Sequence, residues 1–494
     1  MRSMFVRGAA FLLVLAFVCT PVWATCGGGG GGGGGGMSGG GGGNSGGNDP
    51  VVYHVPWKTP AVAKAKPATE GLVLYWFPAS KEELKASSLK ESRNLSLYAG
   101  QCISMELADK TTPNGDALVG ESPLPVVVLA TAKGDVVKKV ENTKGKLKVL
   151  DVEKAVGEEI KTRGTALDNK LAEAKAKATA GEKDAAIAAY KAVAAEKCMF
   201  PKKAKTATAE LKKLGADNIG AVTDGPNFDP KVSAAVVRTM KQGLIAENAA
   251  KYDLADRLYA RANKMDPADP TPLRYLAELH RHHIGDWDKA KVEFHQILDM
   301  PNGDPLSRAV ALHGLGKITI HEGEFKKGLH LMEDSVETYP LALAYRNLAV
   351  YWNSEYDIAK GTYYTEQALA MDPKDPYNLI FSAVFMAMNG KKDEALKIAQ
   401  ANINLLPASY NLAAIYAQNG NKQKALELLQ RHFYKFERYH AVREKEMMEA
   451  RVDAVFDSIR HSEEFMALTK FADGKLPMVM SPRQADEMKM NMNH

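Results

Sequence analysis

Four cysteines, three clustered histidines and a methionine-rich tail are the residues of this 494-residue chain whose chemistry is most specific. Cys19 closes an apolar N-terminal run, and Cys26 opens a long glycine tract. Cys102 and Cys198 stand apart, the first in an expected strand and the second at a helix end before Phe200-Pro201. In an oxidising compartment these two could persist as a disulfide. Equally, they read as two buried free thiols. His280 and His283 can share a helix face, with His282 beside them, but no cysteine or carboxylate completes a ligand set at the right spacing. A solvated helix end without metal is therefore expected there. Met478, Met480, Met488, Met490, Met492 and His494 offer soft thioethers suited to Cu(I), although a disordered terminus is the default for such a tail. Nothing in this set commits the chain to a reaction or to a cofactor.

Charge is more informative about place than about chemistry. The chain carries 64 Lys and Arg against 59 Asp and Glu, a net of +5. Between Lys138 and Lys213 there are 18 Lys and one Arg against 11 acids, a net of +8, which leaves the remainder near −3. Local basicity of this kind reads first as solvated helix faces laced with i,i+4 pairs. The functional reading is attraction to an anionic envelope surface or an acidic protein. No nucleic-acid recognition motif is present.

The elements that must position these residues show most clearly in the C-terminal half. Prolines at 267, 301, 340, 373 and 407 are spaced by 34, 39, 33 and 34 residues. In one unit Leu312, Leu315 and Gly316 fall on one face of a first helix. Gly323 marks the turn, Gly328, Met332 and Ser335 lie on one face of a second helix, and Pro340 closes the unit. Gly316 and Gly328 suit two helices that cross closely. The constellation returns as Ala255, Tyr259, Ala262; as Leu276, Ala277, Gly285, Ala290, Phe294; as Leu348, Ala349, Gly361, Ala368; as Ala383, Gly390, Ala395; and as Leu412, Ala413, Gly420, Ala425. The unit around Arg281 to Ile284 carries one extra residue.

This register resembles the tetratricopeptide (TPR) family. The resemblance implies an all-α solenoid of about six helical hairpins over 236–473, with a groove that holds a protein or peptide. Most of the residues just named are core. Tyr275, Arg346, Asn347, Tyr377, Asn378, Tyr410 and Asn411 are the candidates for the groove, where a recurring Tyr or Arg followed by Asn suits bonding to an extended peptide backbone. Val452, Phe456, Ile459, Phe465 and Leu468 are expected to cap the last unit, since a solenoid end needs cover.

The N-terminus reads as an export signal over 1–24. Arg2 and Arg7 precede an apolar run, Gly8 to Val18, too short to span a bilayer. Cys26 followed by a glycine tether looks like a bacterial lipoprotein, with Cys26 as the lipidation site and the product held at the membrane or free in the periplasm. Trp23-Ala24-Thr25 departs from the aliphatic start of the usual lipobox. A Gly-rich and then Pro-rich tether is expected over 25–70.

Residues 71–163 read as a compact α/β unit. Gly71 to Phe77 is an apolar run suited to a central strand. Lys81 to Leu95 is a helix, Cys102 to Leu107 and Val126 to Thr131 are strands, Val136 to Glu141 follows a tight turn, and Val149 to Thr162 closes the unit. This order, with Pro125 just before the third strand, resembles the thioredoxin fold. The family's CxxC would fall within Phe77-Pro78-Ala79-Ser80-Lys81, which has no cysteine, so a redox-inactive domain is implied. Ser80 cannot replace the thiolate without an activating base. A helical hairpin over 164–215 and a linker over 216–235 complete the chain, and a Cys102–Cys198 bridge would staple that hairpin to the α/β unit. The expectation is a multidomain, non-catalytic interaction scaffold of the cell envelope. The alternative is a thiol-dependent redox component acting through Cys102.

Overall fold

The computed structural model describes residues 51, 53–65, 67–216, 230–301 and 303–470. The expected signal segment, Cys26, the glycine tract, most of the linker and the methionine-rich tail lie outside the described residues.

The N-terminal unit is built on four strands, β1 (Leu72–Phe77), β2 (Ile103–Leu107), β3 (Val126–Thr131) and β4 (Val136–Glu141), in the order β2-β1-β3-β4. β1 and β2 run parallel, and the other two pairings are antiparallel. β1 is apolar throughout because it is central, with Trp76 and Phe77 fully buried. β4 is the exposed edge, and Lys138 and Lys139 on it discourage further pairing. Leu124-Pro125 is cis. Helix α1 (Arg93–Ala99) and the start of helix α2 (Val149–Thr179) pack against the sheet core.

Two expectations change here. α2 is one unbroken helix of 31 residues, about 46 Å long, and crosses the boundary placed at 163/164. Its Ala/Lys/Glu composition gives it no reason to stop, and Gly164 lies in contact range of the Phe200 ring. Its far half makes a three-helix bundle with α3 (Lys183–Ala194) and α4 (Pro201–Lys213), where a hairpin was expected. Likewise, the first part of the Pro-rich stretch is not a free tether. Tyr53 and Val55 are buried, the Val55 N–H donates to the Lys90 carbonyl, and His54 meets Tyr339 edge-on at 4.7 Å.

From Pro230 the chain is helical, so the expected linker is already helix over its last residues. Six consecutive hairpins follow: α5 (Pro230–Asn248) with α6 (Tyr252–Met265), α7 (Pro270–Glu278) with α8 (Trp287–Asp299), α9 (Pro305–His321) with α10 (Phe325–Thr338), α11 (Ala342–Ser354) with α12 (Ile358–Met371), α13 (Pro376–Met388) with α14 (Lys392–Ala401), and α15 (Ser409–Gln418) with α16 (Lys422–Arg431). First helices touch first helices between the second and third, fourth and fifth, and fifth and sixth hairpins, and the array is solenoid-like. Each hairpin turn holds one residue at positive φ: Ala250, Gly285, Gly323, Tyr356, Gly390 and Gly420. The extra residue near Arg281 is absorbed as a π turn, Leu279–Ile284, at the end of α7. Where α9 and α10 cross, a Cβ at Gly316 would stand 2.8 Å from the Gly328 carbonyl oxygen, and one at Gly328 would collide with Ile320. Phe456, Ile459 and Phe465 cover the last hairpin.

Candidate functional site

The inner face of the array is already filled, by helix α17 (His440–Val452) and its flanks. At its start the Tyr439 hydroxyl donates to Asp253 Oδ1 of the first hairpin at 2.7 Å. Lys445 Nζ donates to the Gly285 carbonyl at 2.9 Å and sits 3.5 Å from the centre of the Trp287 ring. Glu449 Oε2 lies 3.5 Å from His321 Nε2 on α9. Met448 and Val452 pack with Ile320, Leu348 and Tyr351. At its end Asp453 accepts from the Tyr410 hydroxyl of the sixth hairpin at 3.1 Å. A helix of 13 residues is only about 20 Å long. It can reach the first, second, third, fourth and sixth hairpins only because they curve round it.

The contact surface is mixed in character. Met447, Met448, Ala450 and Val452 supply apolar area, while Glu446, Glu449 and Asp453 face a basic wall of Arg281, Lys317 and His321. Lys317 is 2 % exposed and donates to the Tyr351 hydroxyl at 2.7 Å. Burial holds its ammonium below the usual lysine value, against the pull of Glu449 and Glu446. Burial also pushes the Glu449 carboxyl well up and holds the His313 and His321 imidazoles well down. Lys445 is brought down to about 8 by the same desolvation. A void of about 20 Å³, room for about one water, lies among Arg281, His282, Trp287, Lys317, His321 and Glu446.

The seven residues expected on an open groove are all buried, none more than 4 % exposed. Arg346 Nη1 donates to Asn378 Oδ1, and its guanidinium lies over Phe381 at 5.4 Å. Asn378 Nδ2 donates to the Ala368 and Asp372 carbonyls at 2.8 and 2.9 Å, so this pair ties neighbouring hairpins together. Asn347 Nδ2 bonds His313 Nε2 at 2.8 Å. Tyr275 lies tilted against Tyr259 at 5.4 Å, and Tyr377 and Asn411 lie in the packed interior. Of the seven, Tyr410 bonds the inserted segment, through Asp453. An open peptide groove therefore does not describe this state: the chain supplies its own occupant.

The histidine cluster is also corrected. His280, His282 and His283 are buried, not solvated. His280 bridges Glu293 at 2.7 Å and Asp256 at 3.0 Å, and His283 stacks on Tyr252 at 4.4 Å. Every residue from Pro270 to His283 is buried, so this helix is enclosed on all its faces, which helical periodicity could not show. Glu437, Glu446, Glu449, Lys317 and His432 were missed. The available signal was the spacing of Glu446, Glu449 and Asp453, which puts three acids on one stripe beside a methionine pair in a segment lacking repeat character.

In the N-terminal unit, Ser80 Oγ accepts from the Glu83 N–H at 3.1 Å and caps a short helix. Cys102 and Cys198 form a disulfide, Cα to Cα 5.7 Å, joining the start of β2 to the α3–α4 turn. Cys102 borders a cleft of about 810 Å³ between the sheet edge and the array, with Trp57, Met105, Pro305 and Tyr339 among its walls.

No family model matches the chain, and no curated protein matches it. Among solved structures, one described as the crystal structure of YrrB, a TPR protein with an unusual peptide-binding site, is 19 % identical and covers 37 % of this chain and 95 % of its own, with a TM-score of 0.24.

Proposed function

We propose that this protein is a non-catalytic interaction scaffold of the TPR type whose groove takes an amphipathic helix with an acidic stripe, and that α17 holds the place of such a partner. The observation that carries the reading is the occupied inner face itself. Helix-in-groove recognition uses apolar anchors at helical spacing with charges that set register, and Met447, Met448 and Val452 beside Glu446 and Glu449 have that form. A solenoid of hairpins with curved inner walls is the architecture expected for it. The mixed sheet of order β2-β1-β3-β4 with a proline before β3 supports reading 71–163 as a thioredoxin-like domain kept for its surface. Export and a lipid anchor at Cys26 belong to the same proposal, on the strength of the Gly8–Val18 run and the glycine tract.

The test loosens α17 and offers it back. In the full chain carrying Met448→Asp and Val452→Asp, a fluorescent peptide of residues 437–455 should bind with a clear rise in anisotropy, while the unmodified protein takes up little. Failure of the folded double variant to bind the peptide overturns the reading. A second reading, thiol–disulfide exchange at Cys102–Cys198, is favoured by the position of Cys102 on the large cleft. Insulin reduction that disappears in Cys102→Ser would establish it.

A further inference from the structure

Where α16 gives way to α17, three side chains able to hold a metal converge. His432 begins a π turn, His432–Phe436, at the end of α16; Glu437 follows that turn; Glu446 lies one helical stretch later on α17. His432 Nε2 is 3.4 Å from Glu446 Oε2 and 4.0 Å from Glu437 Oε1, and ligand atoms of all three fall within 4.8 Å of one another. Neighbouring ligands of a tetrahedral ion bound at roughly 2.0–2.1 Å stand about 3.3–3.5 Å apart. The three residues are 0 %, 2 % and 3 % exposed.

Two carboxylates buried this close repel each other and lose their hydration, so they need a shared proton or a cation. Glu437 Oε1 is buried and makes no hydrogen bond. The nearby cations act on the pair through space and spend their hydrogen bonds elsewhere: Arg281 bonds Glu278 through both Nε and Nη2, Lys317 donates to the Tyr351 hydroxyl, and Arg443 donates to the Phe433 and Glu437 carbonyls. Neither guanidinium makes a hydrogen bond to the carboxylate of Glu437 or Glu446 among the described residues. We propose that His432 Nε2, Glu437 and Glu446 form a divalent transition-metal site that fastens α17 to the sixth hairpin. One imidazole nitrogen with two carboxylate oxygens suits Zn²⁺, Mn²⁺ or Fe²⁺ better than Ca²⁺ or Mg²⁺, which favour all-oxygen shells. A dication would also cancel the two carboxylate charges and leave a neutral buried cluster. Because the ligands come from both sides of a turn and are closed from solvent, the ion would enter as α17 docks and leave when it lifts. Binding would release any protons held by the carboxyls. The site is independent of what else the groove accepts, since it is read by metal content and not by peptide capture.

The experiment uses the full chain without affinity histidines, stripped with EDTA in mild urea and refolded with Zn²⁺, Mn²⁺ or Co²⁺ alone. Copper is avoided because the C-terminal methionines would compete for it. We expect one equivalent of ion after gel filtration, visible d–d absorption with Co²⁺, and a higher Tm than in the stripped protein. His432→Gln and Glu446→Gln, with native far-ultraviolet dichroism, should hold the ion at least about tenfold more weakly, and Glu437→Gln is the gentler third variant. If a variant does not fold, the unmodified protein's stoichiometry and Co²⁺ spectrum still decide. No ion retained by the refolded protein, or retention unchanged in all three variants, overturns the proposal and leaves a proton-sharing carboxyl pair.

Discussion

Glu247 shows how one buried group can shape the pH response. It is 8 % exposed, accepts from the Tyr259 hydroxyl at 2.6 Å, and faces His283 Nε2 at 3.6 Å. Burial raises its carboxyl from 4.5 to about 7. A folded pKa above the unfolded one means the native state holds the proton more tightly, so this contribution is complete below about pH 4.5 and is lost as pH rises to about 7. Glu247→Gln keeps the acceptor for Tyr259 without the charge. We expect it to flatten the stability profile between those values and to exceed the parent above pH 7, by up to about 3 kcal/mol, in urea titrations at stepped pH. A variant profile that tracks the parent would show that Glu247 does not titrate in this window. Arg93 makes the opposite kind of case. It is 5 % exposed and bonds Asp269 at 2.8 Å, Asp266 at 2.5 Å and Ser233 at 2.9 Å, joining the sheet unit to the first two hairpins. Arg93→Ala strands two buried carboxylates, and a loss of about 3–5 kcal/mol is expected. Denaturant titration should show it as a lower midpoint, and an unchanged midpoint would show that the pair is dispensable.

At the scale of the element, the hairpin turn is the repeating device. All six turns place one residue at positive φ, and four of these are glycines. Ala250 and Tyr356 are the exceptions, and Tyr356, at φ +60° and 60 % exposed, holds a Cβ in a conformation that costs about 1–2 kcal/mol. Tyr356→Gly should therefore stabilise the array by about 1 kcal/mol. Gly328→Ala should do the reverse by about 1–3 kcal/mol, because its Cβ would fall 2.6 Å from the Gly316 carbonyl oxygen and 2.4 Å from Ile320 Cγ1. Thermal melts of the two variants check both signs. These elements were legible in the sequence because glycine turns, closing prolines and small residues at crossings are local signals. The π turn was visible as one residue too many near Arg281, but not the burial of His280, His282 and His283 in a helix enclosed on all its faces. The docking of α17 left only the acidic stripe of Glu446, Glu449 and Asp453 as a trace. Glu446, Glu449 and Met448 fit an exposed amphipathic helix equally well, and what buries them is a surface assembled from five other hairpins. The boundary at 163/164 was misplaced because the helix that closes the α/β unit runs straight on into the bundle, with Gly164 beside the Phe200 ring.

The whole molecule is held together by links of different reach. The Cys102–Cys198 disulfide spans 96 residues yet lies entirely within the N-terminal unit, between the sheet and the bundle of α2, α3 and α4. Arg93, through Asp266 and Asp269, and His54, against Tyr339, reach instead from that unit to the array. The two kinds of link separate in an unfolding experiment. A closed loop of this length restricts the unfolded chain enough to contribute about 4–5 kcal/mol in the chain-entropy account, and removal of a native bridge usually costs about 2–5. That cost should fall on the N-terminal unit alone, because opening the bridge breaks no contact made by the hairpins. Calorimetry of the Cys102→Ser, Cys198→Ser protein is expected to show the sheet unit melting early while the array keeps its own transition. If the array transition drops with it, the sheet unit and the solenoid are one cooperative body. The Arg93 contacts would then carry unfolding of the sheet unit across the junction to the array, past the cleft of about 810 Å³.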